Sequence, residues 1–370
     1  MRRIYLDHAA TTPLDPRVLE VMLPYLKEDF GNASSVHAPG RKARHAVEDA
    51  RERVAASLGA EPSEIIFTSG GTEADNLALR GSVAGAPGST LITSAAEHEA
   101  VLRSAEALAA TGVDVRILDP DRYGRVTAGA LRSALEGVDR GLVSVMYTNN
   151  EVGTVSPIPE LVEICHEGGI TFHTDAVQAA GHVRLDVKDL GVDLLSLSAH
   201  KFNGPKGVGA LYVRGGAELV SQITGGSQER RRRGGTENVA SIAGMATALE
   251  LAMAEADAAF LHVSALRDRL VWQLREAVGD RAVFNTPLKP GEASPHVVNV
   301  AFPPVDGRPV DGEMLLLGMD LEGVCVSAGS ACTSGAIEPS HVLTALGLDR
   351  ATAAAAIRFS LGKENTEEDI

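Results

Sequence analysis

The chain is short of aromatic residues, cysteines and positive charge. Phe, Trp and Tyr make up 4% of its 370 residues, so a core must be built mainly from small and branched aliphatic side chains. The three cysteines (Cys165, Cys325 and Cys332) are too few and too unevenly placed for a disulfide framework, which predicts a reducing compartment. The 34 Lys and Arg against 49 Asp and Glu give a net charge of −15. This balance disfavours binding to nucleic acid or to an anionic membrane.

Targeting and membrane-spanning signals are also lacking. The N-terminus carries Arg2, Arg3 and Asp7 where a signal peptide needs an apolar stretch. We expect no run that approaches the roughly 18 apolar residues of a membrane span. The sequence therefore predicts a soluble, cytoplasmic protein that binds neither a membrane nor nucleic acid directly. One basic cluster, Arg230 to Arg233, is either a solvated face or a site for a small anion.

Strand-like and helix-like segments alternate along the chain. Residues 41–58 carry apolar side chains at helical spacing, and Gly59 follows them as a stop signal. Further helices are expected from Thr72 and from about residue 251 to residue 278. Apolar runs typical of strands occur at 64–68, 142–147, 170–174, 194–197 and 209–213. This alternation predicts an α/β fold with a largely parallel sheet.

The composition changes after the long helical segment. Residues 284–310 are rich in Pro and Gly with short apolar runs, which predicts a second, smaller α+β domain. We place the large domain at 15–252 and the small domain at 1–14 and 253–370. A stretch dense in Ser, Gly, Ala and Cys, about 322–340, is expected to form a mobile loop. The last residues, 366–369, look like a capping box, which should open a helix.

Polar residues follow several of the predicted strands, where ligands of open α/β sheets bind. Ser69-Gly70-Gly71-Thr72 either makes a plain turn or lets a phosphate reach a helix N-terminus. Asp175 either caps the next helix or pairs with a protonated pyridinium nitrogen. Lys201, in Ser198-Ala199-His200-Lys201, is either a solvated charge or a Schiff-base donor.

Two cysteines near the C-terminus have different surroundings. Cys332 lies among small polar residues, as an accessible nucleophilic thiol must, whereas Cys325 has apolar neighbours and is expected to be an inert packed thiol. Their spacing fits none of the usual short metal motifs, so no metal site is predicted. Outside any motif, His98 could simply be a helix-start histidine, and Arg358 could pair with a structural acid.

Together these residues form a recognisable pattern. The chain resembles the cysteine desulfurases of the iron–sulfur-assembly and nitrogen-fixation type, from Tyr5 to its last residue. The shared elements, in order, include Tyr5-Leu6-Asp7-His8-Ala9-Ala10, Ser69-Gly70-Gly71-Thr72-Glu73, Glu97-His98, Asn149-Asn150-Glu151, His173-Thr174-Asp175, His200-Lys201, Gly235-Thr236, Ser330-Ala331-Cys332-Thr333-Ser334 and Ile357-Arg358-Phe359. Each element alone is a weak signal, but nine of them in this order are specific.

The resemblance implies a fold and a cofactor. It implies a fold-type I pyridoxal-phosphate-dependent transferase, with a mostly parallel seven-stranded sheet in the large domain. The cofactor residues that it implies are Lys201 as Schiff base, Asp175 at the ring nitrogen, Gln178 at the ring oxygen, His98 stacked on the ring and Asn150 beside it, with Gly71, Thr72, Ser198 and His200 at the phosphate and Thr236 reaching it from the partner subunit of a homodimer.

The same resemblance implies the reaction. Asn150 and Arg358 would grip the carboxylate of L-cysteine, His98 and Lys201 would move protons, and Cys332 would receive the sulfur as a persulfide. The sulfur would then pass to an acceptor protein for iron–sulfur assembly or nucleic-acid thiolation. Alternatives are a selenocysteine lyase, an aminotransferase or a non-catalytic scaffold of a sulfur-transfer complex. A transient iron–sulfur ligand role for Cys332 is a lesser alternative.

Overall fold

The structure is a computed structural model that describes residues 2–328 and 339–370. The α-helices of these residues are α1 (Pro16–Lys27), α2 (Ala38–Leu58), α3 (Gly71–Gly85), α4 (Glu99–Ala109), α5 (Ala128–Ala134), α6 (Ile158–Glu167), α7 (Val187–Leu190), α8 (Val239–Val278), α9 (Gly312–Leu321), α10 (His341–Ala345) and α11 (Arg350–Ala354). The strands are β1 (Ile4–Tyr5), β2 (Ile65–Thr68), β3 (Thr90–Ser94), β4 (Asp114–Leu118), β5 (Gly141–Ser144), β6 (Thr171–Asp175), β7 (Leu194–Ser198), β8 (Gly209–Val213), β9 (Val283–Phe284), β10 (Val297–Ala301), β11 (Val324–Cys325) and β12 (Ala356–Ser360).

Seven strands form the central sheet, in the order β2-β8-β7-β6-β5-β3-β4. The pairs from β7 to β4 are parallel, whereas β8 is antiparallel to both of its neighbours. This confirms the predicted α/β fold with a mostly parallel seven-stranded sheet. Sequence alone did not single out β3 and β4, which complete one end of the sheet.

Helices cover both faces of this sheet. Leu195 and Leu197 of β7 belong to a core cluster that also contains residues of α2, α6 and α8. Leu194 points the other way, into a cluster formed with α3 and α4. Because successive strand residues face opposite sides and both sides are buried, the strands are apolar runs without a polar face.

Helix α8 links two cores. It begins after Asn238, whose side chain accepts a hydrogen bond from the Ser241 N–H at 3.3 Å, about twelve residues before the predicted start. The Ala-rich first part is buried in the large core and therefore lacks the amphipathic pattern that marks a surface helix. The second part packs Val263 and Leu270 against the smaller sheet. The predicted domain junction at 252/253 lies inside this helix, and the domain division stays a prediction.

We expected no apolar run that approaches the length of a membrane span, and the length and apolar character of α8 correct that expectation. Over the described residues it is the one helix long and apolar enough to cross a membrane by length and composition, with mean hydropathy 1.3 over its most apolar window. However, 61% of that window is buried inside the protein. A mostly buried core helix meets the same criteria of length and composition.

A second sheet has the antiparallel order β12-β10-β9, and β1 pairs in parallel with β11. Strand β11 corrects the predicted loop at 322–340, because its residues hydrogen-bond along β1 instead of remaining irregular. Ser327 then exchanges backbone hydrogen bonds with Arg358 at 2.7 and 3.3 Å. Residues 329–338 of the predicted loop lie outside the described part of the chain.

The predicted capping box near the C-terminus is present. The Thr366 N–H donates to Asp369 Oδ2 at 2.9 Å, and the Asp369 N–H donates to Thr366 Oγ1 at 3.3 Å. Residues 367–369 of this segment form a turn.

Candidate active site

Three strands end at the same edge of the central sheet. Asp175 ends β6 and Ser198 ends the parallel neighbour β7. Thr68 ends β2, and both Thr68 and Ser198 are paired with Gly209 of β8. The polar turns after β2 and β7 are therefore held close to each other and to Asp175.

The turn after β2 is shaped for an anion. A Cβ on Gly71 would lie 2.8 Å from Val177 Cγ2 and 3.5 Å from Ser198 Cβ, so only glycine fits without movement. Gly71 and Thr72 open the 15-residue helix α3, whose first N–H groups have no intrahelical partners. Together with the positive end of the helix dipole and the buried Ser198, they form a site suited to a phosphate.

Lys201 ends the turn that follows β7. Its Nζ donates to the carbonyls of Ala9 at 2.5 Å and Ala10 at 3.0 Å. Burial, helped by the nearby charge of Arg358, lowers the pKa of the Lys201 amine to about 8. The lowered pKa gives this amine a larger neutral, nucleophilic fraction near neutral pH than an exposed lysine has.

His200 ties the same turn to the N-terminal segment. Its Nδ1 lies 3.2 Å from Thr11 Oγ1, and its carbonyl accepts the Thr12 N–H at 2.9 Å. Burial first, and then the charge of Lys201, lower the pKa of His200 to about 4. His200 is therefore neutral, and it can hydrogen-bond to a phosphate without adding charge.

Asp175 and His98 face each other closely enough to affect each other's charge. Burial raises the pKa of the Asp175 carboxyl, while His98 opposes the shift. Burial also lowers the pKa of His98, and the charge of Asp175 opposes that shift. Asp175 Oδ1 accepts the Val177 N–H at 2.9 Å, so it caps the following turn as well as facing the site. A buried carboxylate of this kind is stabilised by a cationic partner.

His98 is both the helix-start residue and a site residue. Its Nδ1 accepts the Ala100 N–H at 3.1 Å and so caps α4. In the neutral ring the proton is then on Nε2, which leaves an N–H as the free group of His98.

Arg358 of β12 enters the site from the smaller sheet. Its Nη2 donates to Asp7 Oδ1 at 2.9 Å, and its Nη1 donates to the Asn150 carbonyl at 2.8 Å. Among the described residues, the Arg358 Nε and the Asn150 side-chain oxygen are buried and have no hydrogen-bond partner. Because buried polar atoms are rarely left unpaired, these two indicate a place for a polar ligand. Arg358 can therefore pair with the structural acid Asp7 and still have N–H groups left for the predicted contact with a substrate carboxylate.

Gln178 lies where the segment after β6 meets the N-terminal segment. Its Nε2 donates to the Ala9 carbonyl at 2.8 Å, the same oxygen that accepts from Lys201. Its side chain is buried at the site rather than on the surface.

The structure does not bring every predicted residue to this site. Thr236 is exposed on the segment before α8, so its contribution across a dimer stays a prediction. Cys332 lies outside the described residues. Cys325, predicted to be a packed thiol, is half-buried on β11. Cys165 is buried, and burial raises the pKa of its thiol to about 12.

The basic run is at least partly a salt-bridged surface. Arg230 Nη2 lies 3.7 Å from Glu48 Oε2, and Arg233 Nε lies 2.9 Å from Glu73 Oε1. These pairs favour the interpretation as a charged face over that of a dedicated anion site.

Several site residues were not assigned roles from sequence. Asp7 pairs with Arg358, and the buried Asp75 and Glu97 have pKa values raised well above their usual range by burial, with the charge of Asp175 adding to both. Asp7 and Glu97 stand inside the shared motifs, and that position in the sequence could have identified them as site residues. Asp75 offered none, since a helical acid is normally exposed.

The described residues fit pyridoxal phosphate. The glycine turn and helix N-terminus suit its phosphate, the Lys201 amine suits its carbonyl carbon, and Asp175 suits its protonated ring nitrogen.

Comparison with known proteins agrees with this geometry. The aminotransferase class-V family model matches residues 4–370. The cysteine desulfurase IscS of Dictyoglomus turgidum is 49% identical over 100% of this chain and 92% of its own length. A solved NifS-like protein is 39% identical with a TM-score of 0.90, over 99% of this chain and 96% of its own. A structure described as SspA in complex with cysteine is 36% identical with a TM-score of 0.83, over 98% of this chain and 99% of its own.

These matches extend over nearly the whole chain and agree with the resemblance carried by its motifs. The chain therefore belongs to the class-V aminotransferases, a pyridoxal-phosphate-dependent family, and within them to the cysteine desulfurases.

Proposed function

We propose that this protein is a cytoplasmic cysteine desulfurase that converts L-cysteine to L-alanine and carries the sulfur as a persulfide on Cys332. The observation that carries the proposal is the meeting of Lys201, Asp175, His98 and Arg358 at one sheet edge. The similarity to proteins named cysteine desulfurase, and to one solved with cysteine, supports L-cysteine as the substrate.

Lys201 has two tasks in this reaction. Its amine attaches pyridoxal phosphate, and when free it removes the proton from the substrate Cα. The lowered pKa of Lys201 makes its neutral form available for both. When bound, the cofactor supplies an electron sink for the charge that develops at Cα.

Arg358 and Asn150 orient the substrate. The guanidinium keeps free N–H groups, including the buried Nε, after its bonds to Asp7 and the Asn150 carbonyl. A planar guanidinium binds a carboxylate in bidentate fashion. The substrate α-carboxylate is held there by the guanidinium, and the side-chain NH₂ group of Asn150 is the part of that residue that can donate to it.

His98 presents an N–H group to the site. Because its Nδ1 already accepts the Ala100 N–H, Nε2 carries the proton of the neutral ring and can donate a hydrogen bond to a bound group. Burial lowers the pKa of His98 and so favours this neutral form, which acts as a hydrogen-bond donor rather than as a proton source.

The sulfur step balances without an outside oxidant. The Cys332 thiolate attacks the substrate sulfur, an S–S bond forms and the substrate Cβ–S bond breaks. The electron pair of the broken bond stays with the carbon, which is protonated to give alanine. Cysteine and one enzyme thiol thus become alanine and one enzyme persulfide.

Two features of the assembly belong to the same proposal. The protein acts as a homodimer in which Thr236 of one subunit completes the phosphate site of the other. An acceptor protein for iron–sulfur assembly or thiolation then takes the persulfide sulfur.

The test is to mix the purified holoenzyme with L-cysteine and a reductant, and to quantify alanine and sulfide together. We expect equal amounts over many turnovers, lost in Cys332→Ser and kept in the matched variant Cys325→Ser. A selenocysteine lyase would give a different result. The wild type would fail on cysteine, and Cys332→Ser would still act on selenocysteine. Sulfide release by Cys332→Ser at the wild-type rate would refute the proposal.

A further inference from the structure

Two histidine rings stack beside the cofactor site. The rings of His182 and His296 have centroids 3.6 Å apart and planes within 3° of parallel. Burial lowers the pKa of both, to about 4 for His182, so two neutral rings can stack without charge repulsion. The two rings differ in their hydrogen bonds. Within the described part of the chain, His296 bonds through its ring nitrogens to Ser294 and to the predicted site residue Gln178, and His182 makes no such bond.

Hydrogen bonds connect Ser294 to the site through His296. Ser294 Oγ lies 2.6 Å from His296 Nδ1, and His296 Nε2 lies 3.3 Å from Gln178 Oε1. Gln178 Nε2 then donates to the Ala9 carbonyl at 2.8 Å. His296 has no exposed surface, and Ser294 and Gln178 are nearly as buried.

One assignment of protons satisfies all of these contacts. The Ala9 carbonyl can only accept, so the Gln178 NH₂ group must face it, and Gln178 Oε1 must face His296. The His296 ring then carries its proton on Nε2, and its Nδ1 accepts the Ser294 hydroxyl. The reversed carboxamide would set two oxygens against each other at the Ala9 carbonyl.

We propose that His296 is a positioning residue, which holds the Gln178 carboxamide with its NH₂ group toward the cofactor site. One N–H of that group is used by Ala9, and the other is kept free for the oxygen of the cofactor ring. This inference deepens the proposed function and rests on it for the contact between Gln178 and the ring. Ser294 supports the arrangement by setting the proton position on His296.

The experiment compares the visible absorption of the cofactor in holoenzymes without L-cysteine. His296→Met keeps the side-chain volume but removes the donor, and we expect it to shift the absorption in the same direction as Gln178→Ala. The double variant should show no further shift, since His296 acts through Gln178. His296→Gln places an amide donor near the Nε2 position and should restore the wild-type spectrum.

His182→Met is the matched control. It loses the same ring stacking, so a purely structural effect would appear in both histidine variants, in the spectrum and in the melting temperature. A wild-type spectrum in folded His296→Met, an equal shift in His182→Met, or additive shifts in the double variant would each overturn the inference. If His296→Met does not fold, Ser294→Ala replaces it, with a smaller shift in the same direction expected and no shift counting against the inference.

The two proposals fail separately. The spectrum needs no sulfur chemistry, so a shift in His296→Met with an inactive wild type would refute the desulfurase alone. An active wild type with an unaltered His296→Met spectrum would refute the positioning role alone.

Discussion

Two buried groups of charged side chains differ in how completely they are satisfied. Arg51 of α2 donates to both carboxylate oxygens of Glu229, at 2.7 and 2.9 Å, and to the Ile65 carbonyl at 2.9 Å. Glu229 also accepts the Phe67 N–H at 3.0 Å. This pair joins α2 and β2 to the segment before α8.

The sheet-edge site is the opposite case. Within residues 2–328 and 339–370, Arg358 Nε and the Asn150 side-chain oxygen are buried and have no hydrogen-bond partner. Burial also disfavours the charged forms of Lys201 and Asp175. Unpaired buried polar groups cost stability, which a fold tolerates where a ligand supplies the missing partners. Both groups are buried. The structural pair differs from the active site in that its buried polar atoms have hydrogen-bond partners.

The largest expected effect is on the active-site side of this comparison. Lys201→Ala removes the cofactor attachment and the base, so alanine formation from L-cysteine should fall by at least roughly 10³-fold. Its melting temperature should change less than that of a variant in the Arg51–Glu229 pair. Alanine assays and thermal unfolding of the same samples measure both, and retained activity would contradict the role of Lys201.

The converse holds for the structural pair. Arg51→Met leaves Glu229 buried without its counter-charge and should lower the free energy of unfolding by about 3–5 kcal/mol, as measured in denaturant. Arg53→Met on the same helix is the control, because Arg53 and its partner Glu250 are partly exposed and such pairs contribute about 0–1 kcal/mol. Equal losses in the two variants would contradict the distinction.

A smaller effect is expected from Arg358→Lys. Lysine keeps the charge but loses the bidentate fork, at a loss of about 1.5–3 kcal/mol for hydrogen bonds to a charged group. KM for L-cysteine should therefore rise about tenfold to a hundredfold. Arg132→Lys, whose ion pair with Glu167 is exposed, should leave KM unchanged. An unchanged KM in Arg358→Lys would place the carboxylate elsewhere.

The smallest effect is a shift in a pH profile. Capture of pyridoxal phosphate by the apoenzyme needs the neutral Lys201 amine, so its rate should rise with pH and level off above about 8. Arg358 lowers the pKa of Lys201 and Asp7 raises it. The midpoint should therefore move up in Arg358→Gln and down in Asp7→Asn. A midpoint near 10.5 in the wild type would contradict the lowered pKa.

Much of the fold could be predicted because strands buried on both faces are short apolar runs. The prediction at 209–213 matches β8, and that at 194–197 stops one residue short of β7. The start of α8 was predicted too late, since a helix buried all round lacks a polar face. Strand β11 was missed because two residues carry no periodicity, and its pairing with the distant β1 is visible only in the folded chain.

The sequence singled out site residues where they stand in shared motifs. Lys201, Asp175 and His98 stand in shared motifs, and the structure brings them together at one sheet edge. Residues that act through a neighbour leave no such signal. His296 is 118 positions from Gln178 in sequence, and only the folded chain shows their hydrogen bond.

The most direct test of the account is a single turnover of the holoenzyme with L-cysteine and no reductant, followed by peptide mass mapping. We predict one persulfide on the peptide that contains Cys332 for each alanine formed. Alanine without that persulfide, or a persulfide on Cys325 instead, would contradict the account.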